Sequence, residues 1–224
     1  MTAELIQQVK AKFPGNKIFL FSTSWGSILS ARLLESDPHA VDGVVACGQI
    51  IKVVFFSDEV KDTLAQSKIP EKKLERIKQL TADNFTGQDL QLISVALRKY
   101  TDAYQNKSGT TPPMGTIIKG LLTSPDYSFK DFIAIMVNGY RENTSLWQEI
   151  AHIDLSSPLG HVEIPYIILQ GDTDIVASTR LVKELVESSK NRNLHCRIVP
   201  KTGHMPSLEL MDSLLAALED ISSR

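Results

Sequence analysis

Three residues of different chemical kinds stand at comparable places along this chain. Ser24 lies in Ser22-Thr23-Ser24-Trp25-Gly26, between one apolar run and the next. Asp174 lies in Gly171-Asp172-Thr173-Asp174, straight after the run YIILQ. His204 lies in Thr202-Gly203-His204-Met205-Pro206, shortly after LHCRIV. A hydroxyl, a carboxylate and an imidazole can together do nucleophilic acyl chemistry. The hydroxyl is a poor nucleophile alone, the imidazole takes its proton, and the carboxylate orients the imidazole. Asp172 competes with Asp174 for the orienting role, since a turn aspartate is often only a turn former.

These residues need a scaffold that brings them to one edge. Small-x-Ser-x-Gly suits a sharp strand-to-helix turn that lifts the serine hydroxyl above a sheet. The positions two before and two after the serine must be small; Gly26 meets this fully, and Ser22 is bulkier than glycine but still small. At the start of a helix, Ser24 would sit in partial positive charge, and the Trp25 backbone N–H would be one oxyanion donor.

The expected scaffold is α/β. Residues 3–13 place Leu5, Ile6, Val9 and Phe13 on one helical face, and Pro14-Gly15-Asn16 stops that helix. Lys17–Phe21 reads as a continuous apolar strand buried on both faces of a parallel sheet, followed by a helix over 25–35 and a second buried strand over Val41–Cys47. The alternation returns late in the chain. Tyr166–Gln170 and Leu194–Val199 read as strands, and Thr179–Ser188 and Ser207–Ile221 as helices. Ser24, Asp174 and His204 then all fall on loops at the carboxyl ends of parallel strands, where open α/β sheets carry their sites.

Residues 57–160 break the pattern. They show helical periodicity and no convincing buried strand: Leu74, Ile77 and Leu80 mark one helix, and Leu90, Ile93 and Leu97 another. Helices are also expected over 129–140 and 144–151, with a loop over Lys107–Gly115. The run EKKLERIK reads as a solvated helix face. Trp147 reads as a core side chain, and His39, His152, His161 and His195, which follow no strand end, as surface or packing residues.

Composition narrows the function. The 224 residues are 42% hydrophobic and 22% charged, with 24 basic and 26 acidic side chains and a net charge of −2. This balance gives no electrostatic reason to expect nucleic acid or an anionic membrane as partner. No signal-peptide pattern or membrane-length apolar run stands out, so a cytoplasmic protein is expected. Cys47 and Cys196 read as reduced thiols within strands, and no Cys or His spacing suggests a metal. No phosphate-binding glycine loop follows a strand, so no nucleotide cofactor is expected, and the partner expected is a small-molecule or short-peptide substrate.

Four stretches resemble a known family. KIFLFSTSWGSILSARLLESDP is similar to the nucleophile turn of α/β-hydrolase-fold proteins of the prolyl aminopeptidase (proline iminopeptidase) group. VDGVVACGQII resembles the next strand of that group, and IPYIILQGDTDIVAS and VPKTGHMPSLE resemble its acid and histidine segments. The likeness covers nearly the whole chain, more loosely across the helical insertion. It implies an α/β-hydrolase fold with a mostly parallel sheet, about four strands being present here. Residues 1–56 and 161–224 would form the core, and 57–160 a helical cap over the site. It implies Ser24 as nucleophile, Asp174 as orienting acid and His204 as base, acting through an acyl-enzyme.

The chain departs from the family in two ways. Ser22 stands where the family usually has glycine, and no His-Gly-rich loop that would supply a second oxyanion N–H occurs. The sequence reads as beginning at the helix before the nucleophile strand. The family's earlier strands would pair with residues 17–21, which otherwise form an unprotected edge. A fragment of a longer product is the first reading; a partner chain over the edge, including a homo-oligomer, and a self-sufficient remnant are the others. The leading function is a serine hydrolase, either a prolyl-type aminopeptidase or a small-substrate esterase or amidase. Aminopeptidase action needs cap carboxylates to hold a substrate ammonium; Asp102, Asp131 and Glu142 are available, though each reads better as a solvated surface group. The alternative is a non-catalytic α/β-hydrolase-like binding protein, favoured by the absent oxyanion loop.

Overall fold

The computed structural model of the chain describes residues 2–139 and 142–223. Four strands make one parallel sheet in chain order: β1 (Phe19–Thr23), β2 (Gly43–Cys47), β3 (Tyr166–Gly171) and β4 (Leu194–Val199). The helices are α1 (Thr2–Lys12), α2 (Trp25–Ser36), α3 (Asp58–Ala65), α4 (Glu71–Lys78), α5 (Gly87–Tyr100), α6 (Met114–Thr123), α7 (Phe129–Ile133), α8 (Thr144–Ala151), α9 (Ser156–Gly160), α10 (Thr179–Ser189) and α11 (Leu208–Ser222). A π-helical turn, Ala134–Asn138, continues α7.

The two central strands are buried at every position, as uninterrupted apolar runs require when helices cover both faces. Alternate side chains divide the core. Val44, Ala46, Tyr166 and Ile168 face one way and pack with Ile28, Ala31 and Leu34 of α2, Leu159 of α9 and Val182 of α10. Val45, Cys47, Ile167 and Leu169 face the other way and meet α11 through Leu210, Leu214, Ala217 and Ile221. That spacing along α11 is the stripe of a one-faced amphipathic helix. Each leucine so buried contributes about 1.5–3 kcal/mol.

The register aligns the carboxyl ends. Thr23 and Leu169 both pair with Cys47, and Gly171 pairs with Val199. The ladder runs on into the loops: the Ser24 N–H donates to Cys47 O at 2.9 Å, and the Asp172 N–H to Val199 O at 3.1 Å. The three loops carrying Ser24, Asp174 and His204 therefore leave the sheet from one edge.

Residues between β2 and β3 form no strand among the described residues, and α3 to α9 lie there. Their own apolar cluster includes Val60 and Leu64 of α3, Ile77 of α4, and Ile93 and Leu97 of α5. Val176 and Met205, from the loops after β3 and β4, pack against it. The insertion thus sits over the carboxyl edge. Helix α6 begins at Met114, inside the stretch expected to be loop. The last residues of the expected helix 129–140 reach beyond the described ones.

The first strand forms the expected edge, but it is shifted and less buried than expected. It runs two residues later than Lys17–Phe21, pairs on one side only with β2, and buries only Ser22, with Phe21 46% exposed. An apolar run does not distinguish a sheet's centre from its edge. Of the four apolar residues expected on one face of the first helix, only Ile6 is buried, while Leu5 and Phe13 are exposed. Cys47 and Cys196 are free thiols on β2 and β4, with β3 between them. Among the described residues, no helix is long and apolar enough to cross a membrane.

Candidate active site

The turn after β1 is strained. Ser24 has φ 47° and ψ −115°, a left-handed backbone that disfavours any side chain. Two bonds hold it there besides the one to Cys47: the Ser27 N–H and Ser27 Oγ both donate to Ser24 O, at 2.9 and 2.6 Å. Ser22 and Gly26 are neighbours across the turn, such that a Cβ on Gly26 would lie in ordinary contact, 3.5 Å from Ser22 Cβ. The turn therefore has room for the small side chain of Ser22. Trp25 is the first residue of α2, so its N–H has no acceptor within the helix and faces the same edge as Ser24.

The structure brings Ser24, His204 and Asp174 together. Ser24 Oγ lies 2.8 Å from His204 Nε2, and His204 Nδ1 lies 2.8 Å from Asp174 Oδ2. The imidazole is 9% exposed and the carboxylate 1%. Asp174 is fixed from its other side, where Oδ1 accepts the Val176 and Ala177 N–H groups, both at 2.9 Å. A carboxylate only accepts hydrogen bonds, so this geometry puts the neutral imidazole's proton on Nδ1 and aims the Nε2 lone pair at Ser24. Such an arrangement can pass a proton from a hydroxyl to an imidazole.

Asp172 does different work. It accepts the Thr202 and Lys201 N–H groups at 3.0 and 2.9 Å, tying the β3 loop to the histidine loop. The histidine loop is also tied to the insertion. The His204 N–H donates to Ala103 O at 2.7 Å, and the Met205 N–H to Tyr104 O at 2.8 Å. Gly203 permits this approach, since a Cβ there would lie 2.7 Å from the Tyr104 carbonyl. The Tyr104 ring meets the His204 ring edge-on at 5.7 Å.

A cavity of about 330 Å³ opens above Ser24 and His204, walled by Trp25, Phe55, Arg98, Tyr104 and Trp147 among others. Trp147 is therefore a wall of this cavity and not a core residue: its ring meets Trp25 edge-on at 5.1 Å, and its Nε1 donates to Gly139 O. The polar Nε1–H, which needs a partner when buried, suits an edge position. Asp102, Asp131 and Glu142 do not line the cavity. Asp131 caps α7 through Ser128, Asp102 Oδ1 lies 4.0 Å from Lys107 Nζ, and Glu142 is exposed. The other histidines are elsewhere. His39 and His152 lie beside Glu163 and Asp83, and His161 against Ser157 O. Among the described residues, no group of three His, Cys, Asp or Glu side chains is placed to hold a metal.

The α/β hydrolase fold family description matches residues 1–209. The chain belongs to the α/β hydrolase fold family. Solved structures agree on the fold of this α/β hydrolase-fold chain. The proline iminopeptidase of Mycobacterium smegmatis superposes with a TM-score of 0.54 at 14% identity, over 99% of this chain and 70% of that one. MGS-M2, an α/β hydrolase from a Medee basin deep-sea metagenome library, gives 0.54 at 15% identity, over 99% and 70%. The monoacylglycerol lipase of Paleococcus ferrophilus gives 0.51 at 18% identity, over 99% and 74%. At these identities the likeness carries the fold alone. No curated protein matches the sequence.

Beneath the site, this α/β hydrolase-fold chain has a buried polar layer that sequence reasoning passed over. Tyr166 Oη donates to Gln49 Oε1 at 2.6 Å, and the Gln49 N–H donates to Gln170 Oε1 at 3.1 Å. Gln170 Nε2 then donates to Asp174 Oδ2 at 3.1 Å and to Ala177 O at 2.6 Å. Complete burial pushes the Tyr166 phenol pKa up, which keeps it a donor. Ser27 Oγ joins the turn to the β2 loop by accepting the Ile50 N–H at 3.1 Å. A signal for this layer is present in the sequence: each central strand run, VVACGQ and YIILQ, ends in a glutamine. An amide at the mouth of a fully buried strand must find partners there.

Proposed function

We propose that this chain is a serine hydrolase of small esters or amides. The observation that carries the reading is the unbroken chain from Ser24 Oγ to His204 Nε2 and from His204 Nδ1 to Asp174 Oδ2, each link at 2.8 Å. Ser24 Oγ attacks the substrate carbonyl carbon and its proton passes to His204 Nε2. The imidazolium is held through Nδ1–H by Asp174. The carbonyl oxygen, now an oxyanion, accepts from the Trp25 N–H. Collapse breaks the bond to the leaving group, which takes the proton from Nε2 and leaves an acyl ester on Ser24. Water gives a proton to Nε2 and attacks that ester. The second collapse frees the acid and returns the proton to Ser24.

Residues 57–160 act in this reading as a cap whose underside forms the substrate wall. Of the two substrate classes raised by the sequence, the small ester or amide is better supported than the N-terminal peptide. Among the described residues, the cavity wall includes no carboxylate that could hold a substrate ammonium. The test is labelling with a fluorophosphonate probe. The parent protein should label at one site and Ser24→Ala should not; a folded parent that stays unlabelled refutes the proposal.

A further inference from the structure

Arg98 differs from the other arginines that touch a neighbour. Arg32, Arg76, Arg180 and Arg197 each hold a carboxylate: Glu35, Asp89, Glu59 with Glu184, and Asp220. Arg98, in the last turn of α5, has no carboxylate within ion-pair distance among the described residues. Its guanidinium carbon lies 4.6 Å over the Tyr104 ring. Its Nε is buried and finds no hydrogen-bond partner among the described residues. The side chain lines the cavity above Ser24, whose wall nearby is apolar through Val53, Phe55, Ile150 and Val176.

A buried guanidinium donor without an acceptor is costly, and the planar fork matches a planar oxyanion such as a carboxylate, which the mostly apolar wall around it also suits in size and single charge. The stack limits how far from the histidine that ligand would sit. One aromatic ring, Tyr104, separates the guanidinium from the imidazole that faces Ser24. A carboxylate on Arg98 therefore lies several bonds away from a carbonyl placed at Ser24 Oγ. We infer that Arg98 makes this pocket selective for substrates whose acyl part ends in a carboxylate, such as half-esters or half-amides of short dicarboxylic acids. The substrate assignment rests on the serine hydrolase reading; the recognition of an organic anion does not. Arg98 is a specificity residue in this account and takes no part in the proton transfers.

The cavity carries its own reporter. Trp25 and Trp147 are the chain's two tryptophans, and their rings meet at 5.1 Å in the wall. Intrinsic fluorescence therefore reads occupancy. Ser24→Ala, which cannot turn over, would be titrated with 4-phenylbutyrate and with the neutral 4-phenylbutyramide. The carboxylate should bind about 10- to 100-fold more tightly, the range expected for a charge-assisted bidentate contact. Adding Arg98→Gln should bring the ratio to about one, and Arg98→Lys should restore part of it. Equal binding of the two ligands, including none of either, overturns the inference, as does a preference that survives Arg98→Gln. In the parent protein, kcat/KM for the 4-nitrophenyl half-ester of glutarate over that for 4-nitrophenyl pentanoate should exceed one and fall by the same factor in Arg98→Gln. Absent fluorophosphonate labelling with the carboxylate preference intact overturns the hydrolase reading and upholds anion recognition. Labelling without the preference does the reverse.

Discussion

Replacing Asp174 by asparagine asks the site a question about one proton. The carboxylate accepts four hydrogen bonds: Val176 and Ala177 N–H on Oδ1, and Gln170 Nε2 and His204 Nδ1 on Oδ2. In Asp174→Asn the amide oxygen keeps the two backbone donors, because turning it the other way would set an NH2 against both. The amide NH2 then stands where Oδ2 stood, facing the Gln170 NH2 and the imidazole. The imidazole can pair with it only by presenting a bare Nδ1, which moves its proton to Nε2. Nε2–H points at Ser24 Oγ and can no longer take the serine proton. The expected loss in kcat is about 10³- to 10⁴-fold, the cost of the wrong tautomer. Stability should fall by about 1.5–3 kcal/mol, because a buried charge-assisted pair is lost while the fold's packing stays. For a chain of this length that lowers Tm by roughly 3–12 °C. The assay is the rate of fluorophosphonate labelling, read beside a thermal melt. Asp172→Asn is the control, since among the described residues the Asp172 side chain accepts from the Lys201 and Thr202 N–H groups and not from His204. It should cost activity less than about tenfold. An Asp174→Asn protein that labels within tenfold of the parent would refute the tautomer argument, and loss of labelling in Asp172→Asn alone would assign the orienting role to Asp172.

Gly48→Ala should damage activity more than stability. Gly48 has φ +63°, and a Cβ there would lie 3.2 Å from His204 Cε1 and 3.3 Å from Nδ1. The left-handed backbone costs about 1 kcal/mol, while the methyl group pushes the imidazole off Ser24; a labelling rate equal to the parent's refutes this. Ser22→Ala should be neutral or stabilising by up to about 1 kcal/mol in a urea melt, because Ser22 Oγ is buried with no hydrogen-bond partner among the described residues. A destabilisation above that size would mean the hydroxyl is satisfied. The two thiols should resist alkylation. Burial pushes Cys47 up to about 12 and Cys196 up to about 11, the latter against the pull of Lys183. A raised pKa leaves the thiol protonated at pH 8, so thiolate-dependent labelling by iodoacetamide should be slow in the native protein and complete for both after unfolding. Fast native labelling of either cysteine contradicts the burial.

What could be read before the structure was what local pattern controls. β2 and β3 fall within two residues of VVAC and YIILQ because strands buried on both faces have a run of apolar residues and little else, while β4 matches LHCRIV, a mixed and half-buried run. Ser24, Asp174 and His204 could be placed on one edge because parallel strands have to end together. The choice between Asp172 and Asp174 could not be read from the pattern; it turns on which side chain points down toward Gln170 and which reaches across to Thr202. For β1 the edge position was legible, but its apolar run did not show that only Ser22 would be buried. Trp147 and Arg98 were illegible for another reason. Both lie on helices of the insertion, where periodicity tells which face is apolar but not whether that face meets a core or a cavity.

The two backbone bonds from His204 and Met205 to Ala103 and Tyr104 have a consequence for anyone re-engineering this protein. The segment that follows α5 is not interchangeable wall. It is a splint for the loop that carries His204, and one of its residues, Tyr104, also walls the cavity above Ser24 and stacks on Arg98. Grafting another insertion onto this sheet to reshape the cavity would therefore shift His204 relative to Ser24 as well, unless the graft begins after Gln105 and leaves α5 and its exit in place. A library built in α6 to α8 can vary recognition and chemistry independently; one built across residues 98–104 varies both at once.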